Sequence, residues 1–339
     1  MKNLKEDYFS PFFSHIYVEK AVLEHARTRR ILAKFPSATV IEIDHYKDVF
    51  CRSRQSIRFQ RRAQNLILAA KQGTLLYEGA PVCQSFGNRY FYYVSCAMNC
   101  IYDCAYCYLK GMYPSANIVV FVNLEDIFAQ VRQVLERHPL YLCVSYDTDL
   151  PALERIIGYV REWCDFAENH EDLKIEIRTK CASEIFVRNA RPVLAVIYAF
   201  TLSPQAVIDA FEHHTPSLIQ RLSCAAELIR AGCPVRLCFD PMIYVPDWQQ
   251  HYEAMLEEVF RAIPMEKIVD VSVGTFRISQ DYLKNMRRQE PESPVIWFPY
   301  QKEGGYCHYP DALMEEMECF LSGRLEEKIS REKIFRWNV

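Results

Sequence analysis

The sequence lacks the features that would place it in a membrane or outside the cell. No run of about 18 apolar residues occurs anywhere, so no membrane span is predicted. The N-terminal residues MKNLKEDYFSPFF contain no continuous apolar stretch of the kind that signal peptides have. We therefore expect a cytosolic protein with no membrane partner.

The chain also lacks internal repeats, low-complexity linkers and long blocks of one charge sign. Half of its 339 residues are hydrophobic and 24% are charged, which excludes a fully disordered chain. Positive charge is not in excess, because the formal net charge is −3. This balance argues mildly against nucleic-acid binding. One local run could bind a phosphate backbone or form a solvated helix face: Arg52, Arg54, Arg58, Arg61 and Arg62.

From residue 90 onward, strand-like runs alternate with helical runs. Six apolar runs are predicted strands: 90–95, 140–145, 174–180, 193–202, 234–240 and 267–276. Helices are predicted at 124–136, 150–163, 215–231 and 248–263, and an extra strand at 117–123. This alternation predicts an α/β fold with an open, partial six-stranded parallel (β/α)6 barrel, because six units are too few for a closed eight-fold barrel.

Three regions are predicted along the chain. Residues 1–88 form an N-terminal α/β extension, with a helix at 25–35 and a strand at 38–43, and residues 89–280 form the barrel. Residues 281–339 form a C-terminal region with a helix and a β-hairpin, because WFPYQKEGGYCHYP places two strands around Gly304 and Gly305.

Chemically useful side chains follow the predicted barrel strands, where function collects in such sheets. They are Asp147–Asp149, Thr179, Lys180, Thr201–Ser203, Asp240 and Arg277. The loop after the first strand is the most informative of these positions. It reads CAMNCIYDCAYCYLKGMYP, and it spaces Cys100, Cys104 and Cys107 as C-x3-C-x2-C.

Three thiolates within eight residues can converge on one inorganic centre. Zinc is an alternative, with Cys96 as a possible fourth ligand, although structural zinc sites usually use separated C-x2-C pairs. The spacing resembles the signature of the radical S-adenosylmethionine (SAM) superfamily, including the aromatic Tyr106 before the last cysteine. That resemblance implies a [4Fe-4S] cluster whose three cysteine-bound irons leave a fourth iron open for SAM. The cofactors would then supply a 5′-deoxyadenosyl radical.

Over most of its length the chain more closely resembles the spore photoproduct lyase family. The resemblance rests on ordered blocks: DHYKDVFCRSRQ (44–55), YEGAPVCQSFG (77–87), NCIYDCAYCYLKGMYP (99–114), FVNLEDIFAQV (121–131), EIRTK (176–180), EHHTPSLIQRL (212–222), FDPMIY (239–244) and SVGTFRIS (272–279). It implies repair of 5-thyminyl-5,6-dihydrothymine, a DNA lesion that ultraviolet light forms in spores, to two thymines. A carbon–carbon lyase of this kind uses the deoxyadenosyl radical to open the methylene bridge.

The resemblance also implies roles for individual residues. Thr148, Lys180 and Thr201 are expected to contact SAM, and a cation at Lys180 suits the SAM carboxylate. The ordinary alternative for Lys180 is an ion pair with a nearby Asp or Glu. Tyr106 and Tyr108 are expected to pack near SAM and to relay hydrogen, with loop packing as the alternative for Tyr108.

The sequence departs from the family at the hydrogen donor. Many members place a cysteine after the second strand, where this chain has Tyr146 in CVSYDTDLPALE. Cys143 lies three residues earlier, and alternation along a strand points it to the opposite face. Cys83, in the loop-like segment APVCQSFGN, is therefore the predicted donor, with simple burial as the alternative.

Substrate contacts are predicted at two places. Asp240 stands where the family often has a small residue, so a carboxylate could bind thymine N–H groups or indicate a shifted substrate pose. The family has a hairpin in the region of residues 297–310, and a wedge there would hold a flipped lesion. Its predicted contacts are Lys302, Tyr306, His308 and Tyr309, with an ordinary surface hairpin as the alternative.

Three functions stay open at this point. They are lesion repair in DNA, radical SAM chemistry on another substrate, and a non-catalytic zinc-stabilised nucleic-acid-binding module. The first implies lesion-containing DNA and an electron donor such as flavodoxin or ferredoxin as partners, and we expect a monomer.

Overall fold

The protein is described by a computed structural model over residues 13–80 and 83–336. Within these ranges no helix has both the length and the apolarity to cross a membrane. The larger of two main sheets has eight strands. In spatial order they are Tyr77–Glu78, Phe91–Tyr93, Leu140–Cys143, Leu173–Thr179, Val196–Thr201, Val235–Met242, Val271–Thr275 and Ile334–Arg336.

All six predicted barrel strands are present as adjacent parallel neighbours. The predicted count was nevertheless wrong, because the sheet continues at both edges. Ile334–Arg336 adds a parallel strand, and Tyr77–Glu78 adds an antiparallel one. The result is an α/β fold with an open, mixed eight-stranded sheet. The strand cores are buried because helices and loops cover both faces, as in other parallel sheets.

The second sheet has five strands, in the order Thr39–Ile43, His15–Glu19, Leu66–Ala69, Ile118–Phe121 and Ala97–Met98. The predicted strands at 38–43 and 117–123 are both confirmed here. Its first four strands are parallel, and Ala97–Met98 is antiparallel. The sheet therefore combines strands from both sides of residue 88, and it carries the chain directly into the cysteine loop.

Fourteen helices lie in the described ranges. They are Ala26–Leu32, Lys47–Phe50, Ile57–Gln60, Leu109–Met112, Leu124–Leu135, Glu154–Ile157, Tyr159–Ala167, Glu184–Asn189, Gln205–Phe211, Leu218–Arg230, Trp248–Ala262, Gln280–Gln289, Pro294–Trp297 and Asp311–Glu326. The single helix predicted at 150–163 is broken, because Gly158 has a φ of 72° and ends the first segment in the left-handed conformation.

The helix Leu109–Met112, which follows the cysteine loop, is clamped by the helix Gln280–Gln289. Asn285 donates to the Gly111 carbonyl at 3.0 Å, and the Lys110 ammonium pairs with Glu290 and with Asp103 of the loop. Gly111 permits this close approach, since a Cβ there would overlap the backbone of Tyr282. The clamp thus fixes the exit of the cysteine loop.

We expect Gly111→Ala to lower the free energy of unfolding by about 1–3 kcal/mol, because overpacking must push the two helices apart. Gly323→Ala is the matched control, since Gly323 lies within the helix Asp311–Glu326 and a Cβ there meets nothing within 4 Å. That control should gain about 0.5–1 kcal/mol through helix propensity. Urea unfolding of both variants checks the prediction, and equal effects would contradict the clamp.

Candidate active site

The cysteine loop is fixed by its backbone at the edge of the barrel. Asn99 starts it with a φ of 66° and donates to the carbonyls of Ser115 and Asn117 at 2.7 and 2.8 Å. Asp103–Cys104 then pairs antiparallel with Glu212–His213. The loop is therefore held from both sides, as the placement of a rigid metal centre requires.

The three predicted cluster thiols lie close together. The charges of Cys104 and Cys107 act on Cys100, and that of Cys107 acts on Cys104. Burial raises the pKa of Cys104 to about 12 and that of Cys100 well above its usual range, while Lys180 opposes the shift at Cys104. Thiols of this kind lose their protons only on binding a metal, so metal loading would be coupled to proton release.

Cys96 does not join the three loop thiols in the structure. Within residues 13–80 and 83–336, no three His, Cys, Asp or Glu side chains are arranged around one metal ion. Cys96 is buried in the main barrel core, apart from the apolar groups that contain Cys100, Cys104 and Cys107. Its possible role as a fourth zinc ligand was wrong.

Asp149 joins two strand ends beside the cysteine loop. Its carboxylate accepts from the Thr179 hydroxyl at 2.6 Å and from the Lys180 backbone N–H at 2.7 Å. Its charge also acts on Cys100. Asp149 thereby positions Lys180 at the loop, as the carboxyl-end location predicted.

The three predicted SAM contacts differ in what holds them. In the part of the chain that the structure describes, the buried Thr148 hydroxyl has no hydrogen-bond partner. The Lys180 ammonium lies 5.5 Å from the centre of the Tyr106 ring. The Thr201 carbonyl accepts from Arg221 at 3.1 Å. An unpartnered buried hydroxyl and a cation beside the thiols are groups that a bound SAM could satisfy.

Glu212 is a residue of the candidate site that sequence reasoning missed. Its fully buried carboxylate forms an ion pair with Arg221 and accepts from the hydroxyls of Tyr106 and Ser203. Burial alone would raise the pKa of Glu212, but Arg221 and Lys180 outweigh it and lower the pKa to about 2. Nothing in the run EHHT distinguishes this buried carboxylate from a surface one, so only the fold could identify it.

We expect Glu212→Gln to lower the free energy of unfolding at pH 7 by about 3–5 kcal/mol, because it leaves Arg221 buried without its countercharge. The folded-state pKa of Glu212 is depressed, so its stabilisation is present above about pH 4.5 and is lost as pH falls towards 2. The difference between variant and wild type should therefore shrink over that range in urea unfolding. Glu257→Gln, at an exposed position, should change stability by less than about 0.5 kcal/mol.

Tyr106 and Tyr108 point to different partners. Tyr106 is buried, and its hydroxyl donates to Glu212. Tyr108 donates to the backbone carbonyl of Tyr146, and the two rings lie 6.0 Å apart. The Tyr106 hydroxyl is thus bound to the buried Glu212 carboxylate, whereas Tyr108 lies beside Tyr146.

Cys83 and Tyr146, which are far apart in sequence, meet in the structure. The Cys83 Sγ lies 3.5 Å from the Tyr146 hydroxyl, and the Tyr146 ring stacks on Tyr93 at 4.1 Å. Burial raises the pKa of Cys83, although Tyr146, Arg178 and Arg277 act in the other direction. The thiol that sequence reasoning selected as the hydrogen donor therefore lies against Tyr146. Cys143 is buried near Glu176 and Arg178.

Asp240 is held in an ionic group at the end of the fifth barrel strand. It accepts from Arg178 at 3.1 Å and from the Ser272 hydroxyl at 2.7 Å. Burial alone would raise the pKa of Asp240, but Arg178 and Ser272 lower it, so the group is a carboxylate at neutral pH. The charge of Arg178 also lowers the pKa of Cys83, a relation that the sequence did not reveal.

The predicted hairpin is present as Gln301–Glu303 and Tyr306–His308, with positive φ at both intervening glycines. Lys302 is exposed and Tyr306 is partly exposed, as a DNA contact requires. Tyr309 is buried, and its hydroxyl accepts from the Tyr244 N–H at 3.0 Å. His308 is also buried, with its Nδ1 2.8 Å from the Tyr309 carbonyl oxygen. Direct stacking of Tyr309 and His308 on DNA is therefore a prediction that the structure does not support.

A family model described as spore photoproduct lyase matches residues 9–293. This chain belongs to the spore photoproduct lyase family. The curated spore photoproduct lyase of Bacillus subtilis (strain 168) is 22% identical over 295 residues, which are 85% of this chain and 82% of that protein. That of Geobacillus sp. (strain Y412MC61) is 23% identical over 246 residues, 71% of this chain and 68% of that protein.

Solved spore photoproduct lyases share the fold. One, complexed with dinucleoside spore photoproduct, gives a TM-score of 0.81 at 17% identity and covers 96% of this chain and 99% of that chain. A double mutant with bound AdoMet and dinucleoside spore photoproduct gives a TM-score of 0.79 at 18% identity, with the same coverage. These matches confirm the α/β architecture of the lyase family for this chain.

Proposed function

We propose that this chain is a radical SAM carbon–carbon lyase that repairs spore photoproduct in DNA to two thymines. One observation supports this assignment most strongly. The three cysteines of the C-x3-C-x2-C loop and the Cys83–Tyr146 contact lie around the carboxyl end of the barrel sheet. Membership of the spore photoproduct lyase family and two solved spore photoproduct lyase structures that contain the dinucleoside lesion support the same substrate.

The proposed cofactor site uses Cys100, Cys104 and Cys107 to bind three irons of a [4Fe-4S] cluster. Lys180 would neutralise the SAM carboxylate, while the unpartnered Thr148 hydroxyl and Thr201 would receive other polar groups of SAM. When bound, cluster and SAM would together supply the 5′-deoxyadenosyl radical that the repair requires. The chain's own part is to hold these groups in fixed positions and to exclude water.

Cys83 would complete the reaction by giving its thiol hydrogen to the thymine-methyl radical. Only the protonated thiol can do so, and burial favours that form. Tyr146, 3.5 Å away, is the hydroxyl placed to return a hydrogen to the sulfur, and Tyr108 lies next to Tyr146. The tyrosines would therefore act as the relay, with Tyr106 holding the loop through Glu212.

The lesion would have to leave the DNA double helix before it reaches this site. Base flipping costs a few kcal/mol, and less for a damaged base. Asp240 is placed to accept a thymine N–H while Arg178 holds the carboxylate in position. At the hairpin, exposed Lys302 and partly exposed Tyr306 are the side chains available to support the gap in DNA.

The remaining assignments follow from this function. Residues 1–88 and 281–339 would contact DNA on either side of the barrel region 89–280. The chain would act as a cytosolic monomer and receive electrons from a flavodoxin or ferredoxin.

The experiment that tests the proposed function is an anaerobic assay with reconstituted protein, SAM, dithionite and the dinucleotide lesion, followed by chromatography. Formation of intact thymine dinucleotide supports lesion repair. If SAM is cleaved while the lesion stays intact, the chain is a radical SAM enzyme acting on another substrate. No SAM cleavage at all would contradict both assignments.

A further inference from the structure

An open groove of about 840 Å³ lies against the cysteine loop. Four segments form its walls: 57–64, 101–105, 210–214 and 289–294. Among the described residues that line it, none belongs to the Cys83–Tyr146 contact, to Asp240 or to the hairpin. The groove is therefore separate from the proposed lesion site, and we call it the arginine groove.

The floor of the arginine groove is the cysteine loop itself. Ile101, Asp103 and Ala105 line it, and each is a sequence neighbour of Cys100 or Cys104. The backbone N–H of Ala105 donates to Phe211 at 2.7 Å, which joins the floor to the opposite wall. A molecule seated in the groove would thus lie against the segment that carries Cys100 and Cys104.

One wall of the groove is positively charged. Arg58 and Arg62 are exposed, whereas Arg61 is bound to Asp103 at 3.0 Å. Lys110 pairs with both Asp103 and Glu290, so Arg61 and Lys110 together neutralise these two carboxylates. Glu292 adds one exposed negative charge, and His213 and His214 are exposed on the facing wall. The exposed arginines therefore leave a local positive surplus on a chain whose net charge is −3.

Beside this wall, the helix Ile57–Gln60 also carries Phe59, which does not itself line the groove. Phe59 is 70% exposed, and the Arg62 guanidinium lies 6.0 Å from the centre of its ring. Aromatic residues and arginine are enriched in protein interfaces, and redox encounters use small contact areas. An exposed phenylalanine between two arginines is not expected on a helix face that contacts only solvent.

We propose that the arginine groove is the docking site of a small acidic electron-carrier protein that reduces the loop's iron–sulfur cluster. This inference rests on the proposed function and adds the partner surface to it. In the step, the carrier loses one electron and the cluster gains it, with no bond made or broken. The position favours a carrier over DNA, because an electron must enter close to the cysteines whereas the lesion must enter near Cys83.

The test measures binding of an acidic flavodoxin to the reconstituted holoenzyme by calorimetry. Arg58→Glu combined with Arg62→Glu should weaken binding at least tenfold at about 50 mM salt, and less at about 200 mM, because salt screens exposed charges. The matched control is Arg137→Glu with Lys174→Glu. It makes the same charge change at exposed positions near the opposite, amino-terminal end of the barrel strands, and it should alter affinity less than twofold.

Repair of the dinucleotide lesion separates this inference from the proposed function. With limiting flavodoxin the groove variant should be about tenfold slower than wild type, and with dithionite the two should be equal. Unchanged flavodoxin binding in the groove variant would overturn the docking site. Weaker binding of lesion-containing duplex with unchanged flavodoxin binding would also overturn it and make the groove a DNA surface. Failure of wild type with dithionite would instead reject lesion repair, while the flavodoxin affinities would still decide the docking site.

Discussion

Alanine in place of any one of Cys100, Cys104 or Cys107 should reduce lesion repair to the background rate. The expected loss is at least about 10⁶-fold, the lower end of enzymatic accelerations, because the hard chemistry belongs to the cofactors. The brown absorbance near 400 nm that follows anaerobic reconstitution should disappear as well. The proposed cluster uses all three thiols as ligands, so the loss of any one of them should prevent its assembly.

Cys51→Ala is the control for this prediction, since Cys51 is exposed and lies outside the cysteine loop. It should retain both the absorbance and the activity of wild type. If a loop variant kept a full complement of iron and repaired the lesion, another residue would have to bind the cluster. The assignment of these three ligands would then be wrong.

Replacing Cys83 with alanine should change the products more than the consumption of the lesion. Hydrogen abstraction from the lesion does not require Cys83, so the lesion should still be consumed. Intact thymine dinucleotide should fall to a minor product, with adducts or stalled intermediates in its place. Chromatography with mass spectrometry measures the distribution. Clean thymine dinucleotide from Cys83→Ala would exclude Cys83 as the donor.

The matched control is Cys143→Ala, because Cys143 is another buried cysteine on whose pKa Arg178 acts, as it does on that of Cys83. It should leave the products unchanged. The pH dependence gives a second check on Cys83. An ordinary thiol has a pKa of about 8.5 and would lose its transferable hydrogen as pH rises through that value. Burial raises the pKa of Cys83, so the yield of intact product should stay level up to about pH 9.

The repeating part of the fold could be predicted from the sequence. Six apolar runs separated by helical runs correspond to six adjacent parallel strands, because strands buried on both faces are continuously apolar. The two edge strands escaped prediction. Tyr77–Glu78 and Ile334–Arg336 have two and three residues, too few to show a period, and their pairing depends on the tertiary fold.

The site was predictable where spacing or chain order decides position. The cysteine loop, Lys180 and Asp240 lie at strand ends, as the parallel sheet requires. Cys83 was selected by elimination, and its contact with Tyr146 now gives that choice a geometric basis. Tyr309 shows the limit of this reasoning, because an aromatic residue after a hairpin strand can face either solvent or the core. Only the surrounding helices placed it in the core.

Spectroscopy of the reduced, reconstituted protein with and without SAM tests the central claim most directly. The account predicts about four irons per chain and a cluster signal that shifts when SAM is added, since one iron has no protein ligand. A single tetrahedral zinc, or a cluster signal that SAM leaves unchanged because a fourth side chain closes the coordination, would contradict it.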